Sequence, residues 1–330
     1  MNSDWISLHI HRRGGMDHLL MGGVSPLIEH LRREGVLARW FFLRYWDGGP
    51  HLRLRLLPNS GHNAEEVLSA ARRTMERWVA HNPSTVRLTT GEYAERARFL
   101  AAHERFERPP LPLRANDTIE EVLYRPETEV FGTGPALAAA EAHFEESSTL
   151  ALAILERTRQ DGQRARIAFF LLMIALSDNP CRPDVLVRWL RSSWEDWRAA
   201  AAVAQGELPP ALNLRARGAL LEQAEHLWAA TRTQSSLNSE DLLGMWAHSL
   251  ARLRWAHSGT PSGPSGRAAS PFSPKGGPGP EGAPSLPLLL RCTHLLNNRT
   301  GLTGDAEGAL FALACDALAK IAEKNGVRDG

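Results

Sequence analysis

Basic side chains alternate with leucines in the segment HLRLRL, which spans residues 51–56. If this segment is a strand, His51, Arg53 and Arg55 project from one face, because successive side chains of a strand point to opposite faces. Guanidinium groups bind carboxylates and carbonyl oxygens through charge-assisted hydrogen bonds. The spacing therefore predicts a cationic ridge for such oxygens, with the solvated face of an antiparallel sheet as the alternative interpretation.

Arg44 lies in the preceding segment, WFFLRYW at 40–46, and DGGP at 47–50 separates it from the basic segment. Two strand-like segments joined by a glycine-rich turn are typical of a β-hairpin. Within its own strand, Arg44 shares a face with tryptophan and phenylalanine side chains. We therefore expect the hairpin to form a basic floor edged by aromatic rings, to which Arg44 contributes a substrate-binding group.

Two histidines, His9 and His11, lie on one face of another predicted strand at 4–11, where polar and apolar residues alternate. A pair of imidazoles at this spacing can bind a metal. No third ligand follows at a spacing typical of a metal site, so a polar strand face or an acid–base histidine is the preferred interpretation. We expect neither a metal nor a cofactor.

Near the C-terminus, the segment CTHLLNNR at 292–299 places His294 and Asn298 one turn apart on a predicted helix, with Arg299 beside them. Polar groups at this spacing on an apolar helix could act on a substrate. In the alternative interpretation, the histidine and the arginine mark the end of a helix, where cations stabilise the last carbonyl groups.

Tyr124 and Glu127 belong to the segment YRPETEVFG at 124–132. Its proline favours a stiffened loop, and that loop carries two carboxylates. A surface turn is the alternative interpretation of the same residues.

Composition and charge exclude several classes of protein. The 330 residues contain 38 Lys and Arg against 37 Asp and Glu, a net charge of +1 that offers no general attraction to nucleic acid or to a membrane. We find no signal peptide, no apolar stretch near the ~20 residues of a membrane span, and only three widely separated cysteines, which predicts a cytoplasmic protein. The P-loop, zinc-protease and serine-hydrolase motifs GxxxxGK, HExxH and GxSxG are absent.

The predicted elements follow the order β-α-β-β-α and then become helical, which indicates an α+β fold rather than a parallel α/β fold. We predict an antiparallel sheet of N-terminal strands with packed helices and a large inserted helical region, all in one large domain. Its parts are an α+β sheet part at 1–134, a helical part at 135–257, a disordered Gly/Pro/Ser-rich loop at 258–285, and C-terminal helices that complete the core at 286–330. Helices are predicted from an N-cap at Ser25 and at 63–80, 93–106, 136–157, 163–177, 183–205, 215–231, 239–257, 286–298 and 304–324, and a strand at 119–124.

Three segments, WFFLRYWDGGPHLRLRL, YRPETEVFG and CTHLLNNRTG, resemble in this order hallmark segments of the C-terminal elimination domain of lantibiotic dehydratases. Stand-alone members of that family act in thiopeptide biosynthesis. The resemblance implies an enzyme that needs no cofactor and whose partner is a ribosomally made precursor peptide, with a leader and a core of dehydroalanines and thiazoles. Other biosynthetic enzymes are further candidate partners.

The family carries out two reactions. One branch removes glutamate from glutamylated Ser or Thr, and the other, the pyridine synthase, joins two dehydroalanines by a formal [4+2] cycloaddition, closes the macrocycle and expels the leader. Arg53, Arg55 and His294 match family motif positions, whereas Val130 stands where eliminating members carry a carboxylate-binding arginine. The loss of that cation favours the pyridine synthase over the eliminating lyase, since an unpaired glutamyl carboxylate would be costly to desolvate. A precursor-binding module without catalysis is a third hypothesis.

The resemblance and the residue types together predict roles for nine residues. His294 is the general acid–base candidate, and Arg53, Arg55 and His51 polarise carbonyl groups or the departing hydroxyl. The predicted substrate-binding residues are Arg44, Tyr124, Glu127, Asn298 and Arg299.

Overall fold

The computed structural model describes residues 4–103, 108–201, 214–232, 238, 240–258, 279–302 and 304–328. The chain divides into two compact units, Met1–Pro126 and Glu127–Gly330. The first unit contains all strands found in the described residues, and the second contains helices. This distribution confirms the predicted α+β class, while the assignment of all parts to one domain stays a prediction.

The first unit is built on a four-stranded antiparallel sheet in the order β2-β3-β1-β4. The strands are β1 (Ile6–His11), β2 (Leu37–Tyr45), β3 (His51–Pro58) and β4 (Thr118–Glu121). The turn between β2 and β3 contains Gly48 and Gly49, whose φ angles of 93° and 101° are rarely adopted by residues with a side chain. The predicted hairpin is confirmed, and β1 lies in the middle of the sheet between β3 and β4.

Helices contact one side of this sheet, where the leucines of the alternating segments are buried. The helical segments of this unit are α1 (Met16–Leu19), a π-helical turn (Leu20–Val24), α2 (Ser25–Arg33), α3 (Ala64–His81) and α4 (Thr90–His103), of which α2 and α3 contact strands of the sheet. Leu52, Leu54 and Leu56 of β3 are all 0% exposed. Their burial leaves the alternate residues of β3, the basic ones, on the other side.

The predicted N-cap at Ser25 is wrong, because the chain is already helical before this residue. Ser25 has helical angles, φ −55° and ψ −50°, and the helical path begins at Met16. The pair Gly22 and Gly23 suggests a break, but its role is close packing: a Cβ atom on Gly23 would lie 3.1 Å from the ring of Trp78 on α3. The glycines therefore let the indole contact the helical backbone.

The second unit is a set of helices, as predicted from the sequence. They are α5 (Thr128–Phe131), α6 (Pro135–Arg157), α7 (Asp161–Ser177), α8 (Pro183–Ala201), α9 (Leu214–Arg232), α10 (Leu242–His257), α11 (Leu286–Thr300) and α12 (Gly304–Arg328). Helix α7 is buried at every residue of 171–177 and contacts α9, α10, α11 and α12. Helix α11 ends at Gly301, whose left-handed φ of 82° provides the predicted break before α12.

The segment 124–132 is an irregular stretch followed by the single turn of α5, which is consistent with the predicted loop. Most of the predicted disordered loop, at 259–278, lies outside the described residues. None of the helices in the described part of the chain has both the length and the apolar character needed to cross a membrane.

Candidate functional site

The sheet of the first unit brings five basic side chains together on one face. In the register of the sheet, Arg53 lies directly opposite His9 and His51 directly opposite His11. Residues directly opposite each other in an antiparallel pair share a face, and Arg55 is two positions from Arg53. We call His9, His11, His51, Arg53 and Arg55 the sheet cluster. The alternation within each strand indicates the ridge of His51, Arg53 and Arg55 and, separately, the pair of His9 and His11, but their union depends on the pairing of β1 with β3.

Arg44 does not belong to this cluster. Its partner across the hairpin is Leu52, so its side chain lies on the opposite face, the side on which the helices pack. There its Nη2 atom donates a hydrogen bond of 2.6 Å to Oδ1 of Asp17 in α1. The expectation that Arg44 contributes to the same floor as Arg53 is therefore wrong. Arg44 pairs with Leu52, the residue next to Arg53, and neighbouring residues of a strand point to opposite faces.

The rings of the three histidines of the sheet cluster lie close together, with His9 stacked on His51 and His11 tilted against His51. The ring centroid of His51 lies 4.7 Å from that of His9 and 4.7 Å from that of His11. Nδ1 of His51 lies 2.9 Å from the carbonyl oxygen of Gly49, and Nε of Arg53 donates to Nε2 of the same ring at 3.3 Å. This pair of contacts requires His51 to carry its proton on Nδ1, so His51 orients the Arg53 guanidinium.

Burial keeps these histidines neutral. Desolvation, followed by the nearby charges of Arg55 and other basic groups, lowers the pKa of His9 to about 2. Desolvation likewise lowers the pKa of His51 to about 3, and it lowers the pKa of His11. At neutral pH the positive charge of the cluster therefore resides on the two arginines.

Arg55 is a buried cation, with a relative exposure of 7%. Its Nη2 atom lies 3.3 Å from Nε2 of His9, and its Nη1 atom donates a long hydrogen bond of 3.4 Å to the carbonyl oxygen of Leu54. Burial, and next the charge of Arg53, lowers its pKa to about 9. Within the described part of the chain, no carboxylate forms an ion pair with Arg55. Its guanidinium can therefore donate hydrogen bonds to an oxygen atom of a substrate.

Aromatic rings border the arginines. The Arg53 guanidinium carbon lies 3.4 Å from the ring centroid of Tyr45, and that of Arg55 lies 5.5 Å from the ring centroid of Tyr124. Tyr124 is 9% exposed and packs against Trp5 and Phe41 at centroid distances of 5.8 and 5.9 Å. The predicted aromatic edge is present, but Tyr45 and Tyr124 supply it rather than the tryptophans that share a face with Arg44.

The second unit carries a polar group on α11. Nδ1 of His294 lies 2.8 Å from Oε2 of Glu307 in α12. Three residues earlier on α11, Nη2 of Arg291 donates a hydrogen bond of 2.6 Å to Oε2 of Glu127. Asn298 follows His294 by one turn, as predicted. We call Glu127, Arg291, His294, Asn298 and Glu307 the helix cluster.

Glu307 and Arg291 are not among the site residues predicted from the sequence. Arg291 had a detectable signal, since it lies three positions before His294 and therefore on the same face of the predicted helix. Glu307 had none, because its contact with His294 depends on how α12 folds back against α11. Such a pairing across a turn between two helices is set by tertiary packing rather than by spacing.

Arg299 lies inside the second unit, with a relative exposure of 0%. Its Nε and Nη1 atoms donate hydrogen bonds of 3.2 Å to the hydroxyl oxygens of Ser148 and Ser147 on α6. Burial lowers its pKa to about 9. We therefore propose that Arg299 joins α11 to α6 rather than contacting substrate.

The described residues contain no group of three or more His, Cys, Asp or Glu side chains arranged to hold a metal ion. In the sheet cluster, the rings of His9 and His51 stack, and hydrogen bonds engage ring nitrogens of both residues.

Comparisons with known proteins agree with the fold. Residues 5–318 match the family model for the C-terminal part of lantibiotic biosynthesis dehydratases. The chain is similar in structure to the pyridine synthase TbtD from thiomuracin biosynthesis, with a TM-score of 0.72 and 21% identity over 97% of this chain and 99% of that chain. A comparison with curated proteins found no match.

Two further solved structures share the fold at lower similarity. The tRNA-dependent lantibiotic dehydratase MibB from Microbispora sp. 107891 has a TM-score of 0.53 and 18% identity over 98% of this chain and 29% of that chain. TsrL has a TM-score of 0.54 and 18% identity over 97% of this chain and 95% of that chain. At these identities the likenesses show the fold alone.

Proposed function

We propose a function from one premise: the chain belongs to the family of C-terminal domains of lantibiotic biosynthesis dehydratases, as residues 5–318 match its model. The proposed function is that of a thiopeptide pyridine synthase. Its substrate is a ribosomally made precursor peptide with two dehydroalanines, and its products are a pyridine-closed macrocycle and the released leader.

The proposed reaction balances without an oxidant or a cofactor. An amide next to one dehydroalanine moves its N–H proton to its carbonyl oxygen, which creates the N=C bond of an azadiene. Two C–C bonds then form between this azadiene and the alkene of the second dehydroalanine, and three π bonds become one. Loss of the hydroxyl as water, and of the leader as a carboxamide, removes two ring protons and leaves an aromatic pyridine. Every step except the cycloaddition includes a proton transfer, and the two eliminations also break a C–O and a C–N bond.

The observation that carries the proposal is the buried Arg55 guanidinium, which has no carboxylate partner among the described residues. Together with Arg53, it offers N–H donors to the amide oxygen as the imidic tautomer forms. Donors that are already oriented in a desolvated place lower the barrier more than the same donors in water would. Neutral His9 and His51 accept hydrogen bonds from the arginines without adding charge, so they fit a positioning role.

For proton transfer we assign His294, the histidine at the position that the family motif predicts. When Nδ1 carries the hydrogen that Glu307 accepts, the lone pair of the ring lies on Nε2, the nitrogen that can take up a substrate proton and later return it to the departing hydroxyl or leader nitrogen. Asn298 and Glu127 are proposed to contact the peptide. Much of the remaining rate enhancement would come from holding two alkenes in contact, which can contribute about 7–11 kcal/mol at its limit.

Val130 favours this reaction over glutamate elimination. It occupies, in the single turn of α5, the position at which eliminating relatives are expected to carry an arginine. A glutamyl carboxylate is fully charged and needs a cation when it is desolvated, whereas the dehydroalanines are neutral. An apolar side chain therefore suits the cycloaddition substrate.

The test is mass spectrometry of two synthetic peptides after incubation with the purified protein. One peptide carries a leader and two dehydroalanines, and the other carries a glutamylated serine. We expect the first to lose water and an intact leader carboxamide, and the second to stay unchanged. Loss of glutamate from the second with the first untouched would establish the eliminating lyase instead.

Two variants separate catalysis from simple peptide binding. R53M and H294Q should lose most of the turnover while they keep their affinity for the leader peptide, measured by fluorescence anisotropy. R72M, which removes an exposed arginine of α3 that pairs with Glu76, is the matched control and should turn over normally. Unchanged product formation in both R53M and H294Q would indicate a binding module.

A further inference from the structure

Glu307 is a buried carboxylate whose compensating group is His294. The Glu307 side chain is 3% exposed, and its Oε2 atom lies 2.8 Å from Nδ1 of the imidazole. In the described part of the chain no other group donates a hydrogen bond to this carboxylate, and its Oε1 atom is buried without a hydrogen-bond partner. A buried carboxylate is costly unless a donor or a cation compensates its charge.

The exposures of the two side chains differ. The side chain of His294 is 32% exposed, whereas that of Glu307 is 3% exposed. A peptide substrate could therefore reach the imidazole but not the carboxylate. This arrangement is expected of a residue that acts on substrate only through the histidine.

We propose that Glu307 is a positioning residue that fixes His294 in the tautomer with Nδ1 protonated and the lone pair on Nε2. The carboxylate accepts the Nδ1 hydrogen, which sets the orientation of the ring. When Nε2 takes up a proton, the imidazolium forms beside a negative charge that is already in place. The inference rests on the proposed function, because it concerns the same histidine.

Two substitutions separate the hydrogen bond from the charge. Glu307→Leu removes both the acceptor and the charge at similar size, whereas Glu307→Gln keeps an acceptor oxygen and removes only the charge. Glu225→Gln is the matched control, because it also removes a carboxylate that contacts α12. Glu225 accepts hydrogen bonds of 2.6 Å from Lys324, which lies 17 residues beyond Glu307 in that helix.

The first measurement is nitrogen-15 NMR of the imidazole rings, which reports the tautomer directly. The protein has 13 histidines, so the signals of His294 are assigned by their loss in H294Q. We expect Nδ1–H in the wild type, in E307Q and in E225Q, and a shift toward Nε2–H in E307L. An Nε2–H tautomer in the wild type, or no change in E307L, would overturn the proposal. The wild-type spectrum alone decides if E307L does not fold.

The second measurement is turnover of the dehydroalanine peptide as a function of pH. E307L should lower kcat by roughly 10- to 100-fold with KM changed less than twofold, within the ~10²–10⁴-fold that acid–base catalysis contributes. E307Q should recover part of this loss, and the low-pH limb of its kcat profile should move to lower pH, because imidazolium is less stable without the carboxylate. Equal kcat and equal profiles in E307L, E307Q and E225Q would overturn the positioning role.

The two proposals fail in different ways. If no variant and no wild-type protein converts the dehydroalanine peptide, the pyridine synthase proposal fails, while the NMR result still decides whether Glu307 holds the tautomer of His294. If the wild type is active but the tautomer in E307L matches the wild type, the positioning role fails and the proposed reaction stands.

Discussion

The guanidinium of Arg55 lies 3.3 Å from Nε2 of His9, across the two central strands of the sheet in the first unit. Both groups are basic, and burial lowers the pKa of each, to about 9 for Arg55 and about 2 for His9. The contact is therefore a hydrogen bond from a cation to a neutral imidazole. It orients the arginine without supplying the negative charge that would satisfy it.

This arrangement predicts that Arg55 is retained for activity at some expense in stability. The variant R55M should reduce kcat/KM for the dehydroalanine peptide by about 10²-fold, the lower end of what loss of one oriented donor costs. Its free energy of unfolding should stay equal or rise by up to about 2 kcal/mol, because a buried charge that has no ion-pair partner among the described residues is replaced by an apolar side chain of similar length. Mass spectrometry and urea denaturation check the two parts. A clear loss of stability in R55M would mean that Arg55 serves mainly to hold the sheet.

The two faces of the hairpin predict opposite results for two neighbouring arginines. R53M should lower turnover by at least about 10-fold, since Arg53 lies in the sheet cluster and its Nε atom bonds His51. R44M should leave turnover within twofold of the wild type, because Arg44 bonds Asp17 on the other face. The measurement is kcat/KM for both variants with the same peptide. A larger effect for R44M than for R53M would contradict the assignment of faces.

Arg44 and Arg53 also show what the sequence can and cannot predict. Alternation within one strand correctly places His51, Arg53 and Arg55 on one face, because period two is a property of the strand itself. Whether Arg44 joins them depends on the register between strands, and a shift by one residue reverses the face. The contact of Glu307 with His294 is less predictable still, since it depends on the packing of two helices. Local patterns thus predicted the elements and the ridge, and tertiary packing decided which candidates meet.

Arg299 should be more important for stability than for activity. Its side chain is fully buried and bonds two serines of α6, so R299A leaves a cavity and should lower the free energy of unfolding by about 2–4 kcal/mol. R299M fills most of that space and should cost less than about 2 kcal/mol, because it removes the buried charge as well as its hydrogen bonds. Thermal denaturation compares the variants. If R299M is as stable as the wild type but loses peptide affinity, Arg299 binds substrate after all.

The buried histidines predict a loss of stability in mild acid. His51 is 1% exposed and its pKa is lowered from 6.5 to about 3, mainly by desolvation. A group whose pKa is lower in the folded state binds fewer protons there, so its contribution is fully present above pH 6.5 and is lost as the pH falls toward 3. Between pH 7 and pH 5 this one histidine should cost about 2 kcal/mol of unfolding free energy. Urea denaturation in that interval, where few carboxylates titrate, should show a steeper decline for the wild type than for H51N. Parallel declines for the two proteins would mean that His51 takes up its proton in the folded state near its ordinary pKa. A neutral His51 could then not explain how the Arg53 guanidinium is oriented.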